Sequence, residues 1–302
     1  MMNNLEVLDP KLDCVDWGES LGVLVKKADG SVQLFDREKV VRTCLRMGAN
    51  KQVAYEVAEK VERRLYNGIS TANILQMVFQ FMRSYKPMVG NLFDLRKGLS
   101  LMSSKPEFEV FVQALLARTG FEVSPNRLLI GKCVEHEVDA IARKDGVTYF
   151  VEAKHHSRYH TPTGLDESRI ARAVLEDVIE GFVFGKSDLK IDRAMIVTNT
   201  RYSDQAIQYG NCRNILQIGW SSPIDHGLQS MIEGKNLLPL SCLRGLSMDA
   251  RLKLAIAGIV LFEQLIEEDT MELARKTGLP REFIRNIKEK IEPDAQLFGA
   301  LT

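Results

Sequence analysis

No Cys-x-x-Cys pair occurs in the chain, although it carries five cysteines, Cys14, Cys44, Cys133, Cys212 and Cys242. Their scatter excludes a zinc ribbon and a disulfide scaffold and points to a reducing compartment. Net charge is absent too: lysine plus arginine and aspartate plus glutamate each total 40. Bulk basicity therefore names no partner, and any nucleic-acid surface has to come from local clustering. No apolar run reaches membrane-spanning length; the best, Ala255 to Phe262, is far too short. Residues 1–20 are polar and acidic, with Glu6, Asp9 and Asp13, and lack the basic and apolar regions of a secretory leader. The expected location is the cytoplasm. Internal repeats and low-complexity tracts are also missing.

At 302 residues the chain exceeds the usual size of one core, so two or three domains are expected. Residues 1–20 read as an arm. Across 21–104, the runs Val23–Ala28 and Ser31–Phe35 flank Asp29-Gly30, a hairpin signal. Three helices follow, with stripes Val40/Val41/Cys44/Leu45, Ala54/Val57/Val61/Leu65 and Ile74/Met77/Val78/Phe81. Asp36 and Ser70 are the expected caps of the first and third. Asn91 to Ser104 reads as a connecting segment. Over 105–222 a helix at Glu107–Thr119, stopped by Gly120, precedes strands at 121–124, 136–143 and 147–154. A helix near Ile170–Phe184, a strand at 194–198, a helix from Ser203 and a short strand at 215–218 complete an α/β or α+β sheet domain. Residues 223–302 read as helical.

The run Thr270 to Ile287 has the spacing of a helix-turn-helix, with Gly278 at the turn and Leu273, Leu279, Ile284 and Ile287 inside. Arg281, Arg285, Asn286 and Lys288 on its second helix are then expected to be exposed, able to meet phosphates or base edges.

Chemistry concentrates on the middle hairpin. A two-residue turn at Asp145-Gly146 makes Lys144 face Val147, and the same register carried outward sets Asp139 opposite Glu152. Directly opposed residues have β-carbons roughly 4.5–5.5 Å apart, where like charges repel. A hard divalent cation, Mg²⁺ or Mn²⁺, reverses that penalty because it takes carboxylate oxygens. Alternation puts Glu137, Asp139, Glu152 and Lys154 on one face, with Val138, Ala140, Val151 and Ala153 on the other. The bland alternative is a solvated charged face with a Glu137–Lys154 cross-strand pair. His136, His155, His156 and His160 lie near the hairpin in sequence. His156 continues the Glu152–Lys154 face and is the best placed to contact phosphate. No spacing matches a zinc motif.

The stretch Pro106 to Phe121, then His136-Glu-Val-Asp139, then Val151-Glu-Ala-Lys154, resembles the PD-(D/E)xK nucleases, the Mrr-like restriction endonuclease branch above all. The likeness covers roughly residues 105–220. It implies that Asp139 and Glu152 bind the metal, that Lys154 is catalytic, and that Glu109, ahead of Glu107, completes the acidic cluster. Val25-Lys-Lys-Ala-Asp-Gly30, with Phe35-Asp36 and Lys39-Val40, resembles the ATP-cone domain over about residues 21–100. That likeness implies ATP or dATP as an effector held by Val25, Lys26, Lys27, Asp29, Gly30 and Lys39. The absence of a Walker A pattern implies sensing without hydrolysis. Together these resemblances imply a Mg²⁺-dependent, nucleotide-regulated DNA endonuclease, expected to work as a dimer. The rivals are a nucleotide-responsive DNA-binding regulator with a silent nuclease fold, and an RNA nuclease.

Overall fold

The computed structural model describes residues 22–47, 49–85, 94–223 and 226–291. The expected arm at 1–20 lies outside them. Among the described residues the chain forms two mixed sheets with twelve α-helices around them.

In the first sheet β1 (Leu24–Lys26) pairs antiparallel with β2 (Val32–Leu34) and parallel with β3 (Ile69–Ser70). Lys27 N–H donates to Ser31 O, so the loop between them is Ala28-Asp29-Gly30, and Gly30 takes the left-handed conformation (φ +84°) that favours glycine. Helix α1 (Arg37–Arg46) is capped by Asp36, which accepts from Glu38 N and Lys39 N, as its position predicted. Helices α2 (Lys51–Glu62) and α3 (Thr71–Met82) follow, the latter capped by Ser70. Val25, Val40, Val41, Cys44, Val57, Val61, Ile74 and Val78 close one apolar core. The two-residue β3 escaped the sequence reading because two residues carry no periodicity.

The second sheet has the order β4-β5-β6-β7-β8, from β4 (Glu122–Ile130), β5 (Glu135–Lys144), β6 (Val147–Lys154), β7 (Arg193–Thr198) and β8 (Leu216–Ile218). The first three strands meander antiparallel, and β7 and β8 add in parallel. At Asp145-Gly146 both residues take positive φ, 51° and 77°, the two-residue turn the sequence predicted. Helix α5 (Glu109–Arg118) covers one face; α6 (Leu165–Val183) and α7 (Asp204–Cys212) cover the other.

The strand expected at 121–124 runs from Glu122 to Ile130, the helix expected near Ile170 starts at Leu165, and two further elements differ. The expected connecting segment contains a helix, α4 (Leu95–Ser100), capped by Asp94. At six residues it is too short to show a stripe, and Gly98 is there because an added β-carbon would lie 2.3 Å from Cys242 Sγ. The expected helix from Glu107 begins two residues late, after a kinked turn at Ser104–Phe108.

Beyond the sheet come α8 (Leu228–Gly234), α9 (Met248–Ile256), α10 (Phe262–Glu267), α11 (Thr270–Thr277) and α12 (Arg281–Glu289). Gly278, left-handed at φ +68°, turns α11 into α12. Leu228, Ile232, Leu237, Val260 and Leu261 share a core with α5 and the sheet, so packing runs unbroken across residue 223. Among the described residues no helix is long and apolar enough to cross a membrane.

Candidate active site

Strand β5 pairs with β6 from Lys144 with Val147 to Ala140 with Val151, the predicted register, and stops one step short of Asp139 and Glu152. The ladder from β5 to β4 skips Asp139 and Asn126 as well. Asp139 thus stands at a gap on both sides of its strand. Its Oδ2 accepts the backbone N–H of Ala153 at 2.6 Å, a side chain doing what a ladder carbonyl does elsewhere. Gln113, on α5, donates through Nε2 to Asp139 O (2.8 Å) and to Asn126 Oδ1 (2.9 Å) and fills the other side of the gap. Beyond Val151, strand β6 is held by β7, Glu152 beside Ile196 and Lys154 beside Thr198.

Asp139 and Glu109 are buried, at 7% and 5% exposure, and lie close enough for the charge of Glu109 to act on Asp139. Burial, reinforced by the charge of Glu109, pushes the Asp139 carboxyl up to about 6, against the pull of the Ala153 N–H. Burial also raises the Glu152 carboxyl; the hydrogen bond from Lys154 opposes it and the charge of Asp139 adds to it. Lys154 Nζ lies 2.8 Å from Glu152 Oε1 and 3.3 Å from Glu167 Oε2. Burial pulls the ammonium down, but these two carboxylates outweigh it and hold Lys154 above its usual value. The cross-strand Glu137–Lys154 pair is therefore not formed. Glu137 instead faces Lys105 Nζ at 3.8 Å, and that lysine contacts Glu109 Oε1 at 3.1 Å.

Asp139, Glu152, Lys154 and Glu109 are thus brought to one end of the sheet. Glu107 is elsewhere in function: buried, it accepts from Ser103 N and forms a 3.1 Å ion pair with Arg251 of α9. Among the described residues no three histidine, cysteine, aspartate or glutamate side chains converge as a ready metal cage. Buried Asp139 and half-buried Glu152, both held above their ordinary pKa, still fit a Mg²⁺ ion, which takes one or two protein carboxylates and fills its shell with water and phosphate oxygens.

The histidines do not cluster. His136 Nε2 lies 2.8 Å from Asp177, which also accepts from the N–H groups of Cys133 and Val134. His155 Nε2 lies 2.9 Å from Leu99 O. His156 is half-buried, its Nε2 3.2 Å from Thr163 Oγ1 and its backbone clamped by Asn199, so its ring is committed to the interior. Lys288, expected to be exposed, is buried: its ammonium donates to Ile266 O and Glu268 O at the end of α10. Arg281, Arg285 and Asn286 are exposed, Arg285 paired with Glu282 at 3.1 Å. Sequence reasoning missed Lys105, Gln113, Asn126 and Glu167, none of which belongs to the E-x-K pattern; each reaches the site through tertiary packing.

In the small sheet domain, an opening of about 230 Å³ is lined by Val25 and Lys39 together with Phe35, Thr43, Thr71 and Leu75. Lys26, Lys27, Asp29 and Gly30 do not line it. Asp29 is engaged locally, accepting from Ser31 N and Ser31 Oγ.

Residues 101–218 match the restriction endonuclease catalytic-domain family, and residues 23–91 match the ATP cone domain. An uncharacterized protein of Archaeoglobus fulgidus is 33% identical over 181 residues, covering 59% of this chain and 98% of its own length. A second uncharacterized protein of that organism is 54% identical over 39 residues, 13% of this chain and 83% of the relative. The crystal structure of AF1548, a protein of unknown function, superposes with a TM-score of 0.54 at 31% identity, covering 64% of this chain and 97% of that one.

Proposed function

The chain belongs to the restriction endonuclease family, with an ATP cone ahead of its nuclease-type domain, and from that premise we propose that it is a Mg²⁺-dependent DNA endonuclease controlled by ATP or dATP. The observation that carries the reading is Asp139 at its ladder gap, with Glu152 and Lys154 on the adjoining strand end.

Asp139 and Glu152 would hold the cation, and buried Glu109 adds its negative charge beside Asp139. When bound, the cation polarises a phosphate oxygen and eases deprotonation of an attacking water. Lys154, kept charged by Glu152 and Glu167, stabilises the negative charge that builds on the phosphate during attack. The cone pocket takes the nucleotide, with Lys39 supplying charge at its rim and apolar Val25, Phe35 and Leu75 accepting the base. Arg281, Arg285 and Asn286 offer a nucleic-acid contact on α12, and two copies acting together would cut both strands of a duplex. We take the working units as residues 21–104, 105–222 and 223–302, the last two joined through one apolar core that reaches Leu261.

The deciding experiment incubates purified protein with plasmid, linear DNA and RNA, in Mg²⁺ or EDTA, with and without ATP or dATP. Metal-dependent cleavage of DNA, changed by nucleotide and lost in Asp139→Asn and Lys154→Met, is expected. Undiminished cleavage by either variant defeats the assignment of the site. Absence of any cleavage, with nucleotide-dependent DNA binding intact, favours a regulator with a silent nuclease fold.

A further inference from the structure

Helix α3 of the ATP cone and the nuclease body border an open cavity of about 790 Å³. Arg83 enters it from the end of α3, Arg96 from α4, Tyr159 and His160 from the loop after β6, and Arg244 from the C-terminal part. Asp94 is the one carboxylate among its described lining residues, and it already caps α4 through Lys97 N. Arg83 and Arg96 thus outnumber that carboxylate, on a wall that α3 otherwise lines with neutral side chains from Thr71 to Gln80.

Arg96 is the centre of that imbalance. Its guanidinium is held between the rings of Tyr159 and Trp220, 5.1 Å from each centroid, and donates from Nη2 to Tyr159 O at 3.1 Å. Its Nε–H is shielded from solvent and has no acceptor among the described residues. Burial and the like charge of nearby Arg201 both disfavour its ionised form. A guanidinium N–H shielded from water costs free energy until an acceptor meets it, and an anion is the strongest acceptor it can take. The rings of Tyr159 and His160 lie 4.3 Å apart, tilted by 45°, beside these charges.

The loop carrying these two rings begins directly after Lys154. A second opening, of about 590 Å³, lies along its first half and is lined by Ser104, His155, His156, Arg158 and Thr161. One loop thus borders the end of the catalytic strand on one side and the interdomain cavity on the other. Arginine next to stackable rings is the chemistry that grips a single nucleic-acid strand. A volume within roughly 300–1,000 Å³ is that of a small-ligand pocket, enough for a nucleotide unit and too small for a duplex.

We propose that the cavity between α3 and the loop at 155–163 is a phosphate-binding subsite that holds a single-stranded segment of the nucleic acid leaving the nuclease site. This rests on the nuclease reading above and adds to it a place for an unpaired strand end or flap.

The test measures anisotropy of a short fluorescent oligothymidylate with the full chain in EDTA, so that binding is read without cleavage. Arg83→Gln and His160→Gln alter exposed residues and keep the fold; Arg96→Gln is included with its melting curve. Each variant is expected to weaken oligothymidylate binding about three- to tenfold, with the salt dependence falling by roughly 0.7 for each phosphate that is no longer neutralised. A parallel arm follows ATP by equilibrium dialysis. If these variants lose ATP and keep the oligothymidylate, the cavity takes a free nucleotide and the strand assignment is overturned. If neither ligand responds in Arg83→Gln and His160→Gln, the subsite is overturned altogether. Asp139→Asn, assayed for cleavage separately, tests the nuclease reading without touching this cavity.

Discussion

The carboxylate of Asp139 accepts the N–H of Ala153 at 2.6 Å, across the point where strands β5 and β6 stop pairing. One oxygen is thereby committed to the backbone and the other faces the acidic cluster. An asparagine can keep the first interaction and remove the repulsion. Asp139→Asn is therefore expected to abolish cleavage and, in metal-free buffer near neutral pH, to stabilise the protein by about 1 kcal/mol, or roughly 2–4 °C in Tm. Calorimetry in EDTA beside a cleavage assay checks both halves.

The same residue sets a pH dependence. Its carboxyl is raised from 3.8 to about 6 in the folded chain, so between those values the native state holds a proton that the unfolded state has lost. Its contribution to stability is complete below about pH 3.8 and lost as pH rises through about 6. Metal binding has the opposite sign, because the cation needs the ionised form. Cleavage at limiting Mg²⁺ is expected to rise about tenfold per pH unit below pH 6 and then level off. A profile flat from about pH 5 to 7 contradicts the assignment.

Glu167, at the start of α6, touches Lys154 at 3.3 Å and is neither a proposed metal ligand nor part of E-x-K. Acting as a positioning residue, it should lower kcat about tenfold when changed to glutamine and leave KM within about twofold. Glu167→Asp should restore part of the rate, which a purely structural role does not predict.

The buried pair Glu107–Arg251 ties the turn before α5 to α9. Removing one partner strands the other, so Glu107→Ala should cost about 3–5 kcal/mol. The double variant Glu107→Leu with Arg251→Met should cost clearly less. Urea unfolding of the two singles and the double measures that coupling.

Lys288 closes the carbonyl end of α10. Lys288→Ala is expected to lose about 1–3 kcal/mol of stability while leaving the salt dependence of DNA binding unchanged. Arg281→Gln, at an exposed position on the same helix, should do the reverse, lowering the salt slope by about one.

Why these positions divided as they did is a matter of which forces are local. The hairpin register, the Asp36 and Ser70 caps and the Gly278 turn depend on a few neighbouring residues, and all were legible in the chain. Asp139, Glu152 and Lys154 were legible as neighbours from the hairpin register, whereas Glu109 followed only from the family resemblance. Glu167 and Gln113 arrive from helices whose packing on the sheet no local pattern encodes. Lys288 misled for the same reason: helical periodicity put it beside arginines, while α10, more than a dozen residues earlier, offered carbonyls that drew it inward. The short α4 stayed hidden because six residues hold less than two turns of stripe.

Leu228, Ile232, Leu237, Val260 and Leu261 fill the same apolar interior as Phe111, Leu115 and Val151. A stop codon placed near residue 223 would accordingly produce an open-faced sheet, shedding a greasy flank to solvent and inviting precipitation or proteolysis. For anyone grafting this catalytic body onto another protein, the transferable cassette runs at least to Leu261, and the recombination seam belongs beyond it.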